Sequence, residues 1–274
     1  MQQIAYARDF VGMLPGFVQM KAGDYIGEDG LIHCGKCHEA REQILDFPLN
    51  PAGMPPFRKF PQDCDCERQA RAEGVALQKD AERRKRAEEI RKEGITDARY
   101  KNATFANDDR ANPAISDACI RYVEKWPEMY QRNMGIMLYG DVGTGKTFLA
   151  SCIANALAEK GVRLRMTTLP ELSSAMSANY GKERIDILDR VKHYDLLILD
   201  DVGMSRNTDT SMENAFAVIN ARNLVCKPLI VTTNLTPADM KEEKNIQLKR
   251  IYSRIFHMTK NGTIYVPGED RRFK

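Results

Sequence analysis

The chain has 274 residues, 43% hydrophobic and 29% charged, the composition of a globular protein with one large domain or two modest ones. Basic residues exceed acidic ones by three, a balance too even to name a partner. No stretch approaches the roughly 18 uninterrupted apolar residues of a membrane helix, and Arg8, Asp9 and Lys21 interrupt the start, so neither a membrane span nor a secretory signal is expected.

Four of the seven cysteines crowd into the first quarter, as Cys34-x-x-Cys37 and Cys64-x-Cys66. The odd total and the missing signal argue against a disulfide framework and for a reducing cytoplasm. Two such knuckles supply the four thiolates of a tetrahedral Zn²⁺ site, and Gly35 suits the first turn. His33 and His38 flank the first pair and offer a substitute ligand. Four unligated thiols, or a redox pair at Cys34 and Cys37, are the alternatives, and the tight C-x-C counts against the metal. Cys119, Cys152 and Cys226 stand singly among apolar residues and read as buried packing groups.

Residues 46–63 carry five prolines and predict an irregular loop between the cysteine pairs. From Glu67 to Glu93 there are nine basic and seven acidic residues, with opposite charges four apart at Glu82 and Arg86 and at Glu88 and Lys92. That pattern predicts a solvated helix acting as a connecting arm. The organisation expected is therefore a Cys-rich module over 1–66, a charged helical linker over 67–99 and an α/β domain over 100–274.

In that last region short apolar runs occur at Gly135–Tyr139, Leu164–Thr168, Leu196–Leu199, Leu229–Thr233 and Thr263–Val266. Helical patterns, notably Lys146–Lys160 and Ser211–Val225, separate them. Strands of this kind, apolar on both faces, predict a largely parallel sheet flanked by helices.

Gly140-Asp141-Val142-Gly143-Thr144-Gly145-Lys146-Thr147 satisfies G-x-x-x-x-G-K-[ST] at every position, and the helical run opens directly after it at Phe148. Glycines let backbone N–H groups turn in around phosphates, and a helix N-terminus adds its positive end. Lys146 then reaches the β- and γ-phosphates of ATP, and the Thr147 hydroxyl ligates Mg²⁺. The run Leu196–Leu199 ends in Asp200 and Asp201, placing carboxylates at the strand's C-terminal edge. Asp200 is the Mg²⁺ partner through water, and Asp201 orients or deprotonates the attacking water. A third strand ends at Asn234, whose amide suits a sensor of the γ-phosphate. Beyond it, residues 241–274 hold nine basic and four acidic residues, with Arg254 on an apolar helix and Arg271 and Arg272 after the last strand.

Taken in order, these motifs resemble the AAA+ ATPase superfamily, and more narrowly the DnaC/DnaI-type replicative helicase loaders with their IstB-like relatives. The resemblance runs from about Tyr100 to the end. It rests on Asn102-Ala-Thr-Phe105, the phosphate loop, Leu199-Asp-Asp-Val-Gly203, Val218-Ile-Asn-Ala-Arg222, Pro228–Leu235, Tyr252-Ser-Arg254 and Gly268-Glu-Asp-Arg-Arg272. It implies sensor 1 at Asn234, an arginine finger at Arg254 and the sensor 2 arginine at Arg272, with Arg271 its competitor. Asp201 stands where most of the superfamily has Glu, which implies a slow, switch-like ATPase. The Cys-rich start resembles the zinc-bearing module with which such loaders dock on a hexameric replicative helicase. The expected partners are that helicase, single-stranded DNA and further copies of the chain across ATP interfaces. An IstB-like helper of transposition and a nucleotide-holding regulatory module with little turnover are the competing readings.

Overall fold

The structure, a computed structural model, describes residues 18–46, 57–179, 181–203 and 209–271. The first 17 residues, in which no secretory signal was expected, and Arg272 lie outside them. The chain divides into two compact units, Met1–Ala81 and Glu82–Lys274, and the division falls inside a 30-residue helix, α1 (Asp65–Gly94).

The first unit has two small antiparallel ribbons, β1 (Tyr25–Ile26) with β2 (Ile32–His33), and β3 (Glu42–Asp46) with β4 (Phe57–Pro61). The second ribbon corrects the loop expected over 46–63. Residues 57–60 follow the Pro55–Pro56 pair and keep their N–H groups for the ladder. Pro61 sits at the strand's end opposite Glu42, where an edge tolerates it.

Helix α1 is as exposed as its charge pattern requires, with Asp65 and Glu67 in its first turn and Arg91 and Lys92 in its last, each suited to the helix dipole there. Its far end changes character. Ala87 is buried, Ile90 packs against a core, and Ile95, fully buried, forms a parallel bridge to Met166.

The second unit is built on five parallel strands in the order β6-β7-β8-β5-β9. They are β5 (Ile136–Tyr139), β6 (Leu164–Thr168), β7 (Leu196–Asp200), β8 (Leu229–Thr233) and β9 (Thr263–Tyr265). Successive side chains point to opposite faces, so each central strand feeds two cores. On one face Ile136, Leu138, Leu196, Ile198 and Ile230 meet α2 (Pro113–Glu124), α3 (Trp126–Gln131) and α4 (Lys146–Glu159). On the other, Met137, Leu197, Leu199, Leu229 and Val231 meet α5 (Leu169–Ala178), α6 (Lys182–His193), α7 (Asp209–Leu224), α8 (Pro237–Glu242) and α9 (Ile246–Thr259). The expected α/β architecture is observed, and no described helix is long and apolar enough to cross a membrane.

Arg222, from the segment Val218–Arg222, is fully buried in α7. Its guanidinium donates to the carbonyls of Val191, Tyr194, Asp195 and Pro228, closing the end of α6 against the start of β8. Burial depresses its pKa to about 10. Cys119 and Cys152 are the packing residues expected, their thiols pushed up to about 12 by burial. Cys226 is not: it is exposed, on a turn closed by its N–H to the Asn223 carbonyl, at a positive φ of 48°. An apolar neighbourhood in sequence does not bury a residue that the chain uses to turn at the surface.

Candidate functional site

Strand β5 ends at Tyr139 and α4 begins at Lys146, so Gly140–Gly145 form the connecting loop. Gly143 there has φ 78°, and a Cβ on it would lie 1.9 Å from Asp270 Oδ1. Only glycine fits both demands. Thr144 is fully buried and donates to the Asp141 carbonyl at 3.0 Å. The Lys146 ammonium donates back to the carbonyls of Gly140 at 2.9 Å and Asp141 at 2.6 Å. This loop surrounds a lysine side chain left only 6% exposed.

Strand order brings the acids to this loop. Because β8 lies between β5 and β7, the C-terminal ends of all three converge, the ordinary place for a ligand in a parallel sheet. Thr147 Oγ1 donates to Asp200 Oδ1 at 2.9 Å, across 53 residues of sequence. Thr232 Oγ1 donates to the same oxygen at 2.5 Å. Asp201 follows with φ 55°, a left-handed conformation that a non-glycine residue rarely adopts.

These groups line a cavity of about 560 Å³, together with Val142, Gly143, Gly145, Phe148 and Asn234. Five further residues line it that motif reasoning did not assign or left as a competitor: Arg99, Tyr100, Asn107, Asp109 and Arg271. The first four flank the Asn102–Phe105 motif, which was the available signal. Arg271 donates its N–H to the Gly143 carbonyl at 3.1 Å and its guanidinium to Asp109 at 3.0 Å. Of the two C-terminal arginines it is Arg271 that is described at the cavity. Arg254 does not line its own chain's cavity: it lies over the Phe216 ring, 4.5 Å from the centroid, and donates to Asn220 and to the Arg250 carbonyl.

The cysteines form a second constellation. The Sγ atoms of Cys34, Cys37, Cys64 and Cys66 all lie within 4.8 Å of one another. Tetrahedral Zn–S bonds of about 2.3 Å separate sulfurs by about 3.8 Å, so four thiols with no carboxylate among them fit zinc by both chemistry and spacing. The C-x-C works because α1 starts inside it: the Cys64 carbonyl accepts the N–H groups of Glu67 and Arg68, and Cys66 sits in the first turn. Backbone N–H groups of Cys66 and Glu39 draw the Cys37 thiol down to about 6, and burial pushes Cys64 up to about 11. His33 is not in the cluster, its ring nitrogens being engaged by the His38 carbonyl and Asp29, both at 3.0 Å.

Arg41, 7% exposed, ties the two knuckles together. It pairs with Asp24, whose carboxylate accepts the Gly35 N–H, and at 2.8 Å with Glu67, whose carboxylate accepts the Cys64 N–H at 3.4 Å. Hydrogen bonds from Lys21 and Arg41 hold the Glu67 carboxyl down at about 2.

The profile of the IstB-like ATP binding proteins matches residues 80–265, more than half of the chain. The chain belongs to that family. This IstB-like protein is 27% identical over 184 residues to the replicative helicase loader DnaI of Bacillus subtilis, covering 62% of this chain and 58% of that protein. It is 29% identical over 141 residues to an insertion-sequence protein named for ATP binding in Mycobacterium tuberculosis, covering 49% of this chain and 54% of that one. The similarity thus spans a little over half the length of either relative. Among solved structures, DnaI aligns with a TM-score of 0.53 at 23% identity over 66% of this chain and 96% of that one. The DnaC helicase loader aligns at 0.52 and 22%, over 62% of this chain and all of the other. At such identities these two establish the shared α/β fold, and membership of the IstB-like family makes the chain one of the ATP-binding proteins.

Proposed function

We propose that the chain is an ATP-dependent loader of a hexameric replicative helicase onto single-stranded DNA, acting in the cytoplasm and using slow hydrolysis as a switch. The observation that carries the proposal is a cluster of four cysteines in the same chain as an IstB-like ATP cavity. The resemblance of the N-terminal module and the similarity to DnaI support it.

In this reading the N–H groups of Gly143, Gly145 and Lys146 and the N-terminus of α4 hold the phosphates. The Lys146 ammonium neutralises the terminal phosphates, a role to which its position among loop carbonyls suits it. Thr147 would ligate Mg²⁺ and Asp200 would hold its water shell, and the bound ion would supply neutralisation of phosphate charge. Asp201 takes the proton of the attacking water, and Asn234 fixes that water. Arg271, or Arg272, senses the nucleotide in its own chain. Arg254 serves the cavity of a neighbouring copy, where a guanidinium stabilises developing charge and ties turnover to assembly. Cys34, Cys37, Cys64 and Cys66 would hold Zn²⁺, which would fix the two knuckles of the Cys-rich module for docking on the helicase.

A pull-down from extract, with ATP, with ADP and without nucleotide, tests the loader reading. Retention of a replicative helicase, lost in Lys146→Ala, is the expected result. Retention of a transposase in its place overturns it in favour of the transposition helper, to which the similarity to the insertion-sequence protein points. Arg254→Ala subunits mixed with Lys146→Ala subunits should recover part of the activity that each lacks alone. If mixed oligomers form and stay inactive, Arg254 does not act in trans.

A further inference from the structure

We infer that Thr232, through its hydroxyl, is the positioning residue that sets both acids at the end of β7 for Mg²⁺. The inference rests on the proposal that ATP and Mg²⁺ occupy the cavity, and it concerns a residue of the Pro228–Leu235 segment for which the resemblance implies no role.

The register of β7 against β8 pairs Ile198 with Ile230 and Leu199 with Val231, which brings Asp200 level with Thr232. Thr232 is 1% exposed, and a hydroxyl so buried has to be satisfied by the protein. It is satisfied twice, and by the two acids. Its proton goes to Asp200 Oδ1 at 2.5 Å, and its oxygen accepts the Asp201 N–H at 2.9 Å. Thr147, the expected Mg²⁺ ligand, donates to that same Asp200 oxygen at 2.9 Å. One carboxylate oxygen is thus fixed between two hydroxyls, one from the phosphate loop and one from β8.

The second bond bears on Asp201. Its φ of 55° is costly for a residue with a side chain and persists only where the surroundings over-determine it. Strand β8 holds the turn at three points: Thr232 Oγ1 on the Asp201 N–H, the Thr232 carbonyl on the Val202 N–H at 2.9 Å, and Thr233 Oγ1 on the Val202 carbonyl at 2.6 Å. The first of the three is a side-chain bond that also reaches the neighbouring acid. Valine matches threonine in shape and has no hydroxyl, so it removes both contacts while leaving the strand's packing in place.

The test is an equilibrium titration with a fluorescent ATP analogue, with and without added Mg²⁺, on the full chain and its Thr232→Val, Thr232→Ser and Thr232→Ala variants. Thr232→Val should lose about tenfold or more of the tightening that Mg²⁺ confers, as expected for a hydrogen bond to a charged group, and keep its metal-free affinity. Thr232→Ser should stay within about twofold of the parent. Serine and alanine differ by the one oxygen, so that pair decides the matter even where valine fails to fold. Alanine equal to serine in Mg²⁺ response, or valine equal to threonine, overturns the inference. Lys146→Ala separates it from the reading beneath it: a parent that binds no nucleotide, or a Lys146→Ala variant that binds as well as the parent, defeats the ATP assignment, whereas failure confined to Thr232 leaves that assignment standing.

Discussion

The two units hold themselves together by opposite means. In the second, every central strand is buried on both faces, and the apolar side chains of β5, β7 and β8 supply two continuous cores. In the first, among the described residues, those buried as whole residues are Cys34, Cys64, Arg41 and Glu42, the Asp24 carboxylate is buried against Arg41, and no hydrophobic cluster forms. A segment this short buries little apolar surface to offset its chain entropy, and four clustered thiols with an ion triad centred on the buried Arg41 stand where a core would. The lesson concerns separability. The cavity lies at the C-terminal ends of strands whose packing is carried by two apolar cores, whereas the cysteine cluster supplies half of the residues buried in its unit.

Metal removal should break this comparison most visibly. Structural zinc contributes on the order of 10 kcal/mol to small domains, so chelation should unfold residues 18–66 outright. Trp126, the single tryptophan and buried in the second unit, reports on that unit alone. Hydrogen exchange should rise across the first unit while the Trp126 denaturation midpoint stays in place. A joint shift would mean that the two folds are not independent.

Next in size is Arg41→Ala, which leaves two carboxylates without their shared cation. The loss should loosen the first unit, although Glu67, a quarter exposed, keeps Lys21 as a partner. Competition against a chromophoric chelator should show weaker zinc retention, and an unchanged zinc affinity would mean that the triad does not tie the knuckles.

Leu199→Ala sharpens the other side. Leu199 is fully buried, and its truncation should cost about 2–5 kcal/mol in the Trp126-monitored transition without loosening zinc. The smallest effect on stability belongs to Lys146→Ala, about 1 kcal/mol, because the hydrogen bonds of its ammonium to the Gly140 and Asp141 carbonyls tie the loop to itself and not to the sheet. Nucleotide binding should nonetheless be lost in an equilibrium titration. A large stability loss in this variant would show that the site and the sheet are not separable.

Much of the second unit was legible in the chain. Strands were expected at Leu164–Thr168, Leu196–Leu199 and Leu229–Thr233, and they are found at Leu164–Thr168, Leu196–Asp200 and Leu229–Thr233. Runs apolar on both faces leave few other solutions, and the phosphate loop carries its geometry in consecutive residues. The β3–β4 ribbon was missed because proline density outweighed the pairing of residues 57–60. Cys226 was misplaced because burial depends on where a turn faces.

What the sequence determined by itself are the features whose physics is local: the glycines and lysine of the phosphate loop, the exposed charge pattern of α1, and the thiol pairs at Cys34, Cys37, Cys64 and Cys66. What the tertiary structure decided are the contacts between distant segments. Placing β8 between β5 and β7 brings Thr232 onto Asp200, the C-terminal segment brings Arg271 onto Gly143 and Asp109, and Arg41 joins two knuckles about 30 residues apart. Periodicity assigns a residue to an element and a face. Strand order and register, set by how whole elements bury their apolar faces against each other, determine which side chains meet.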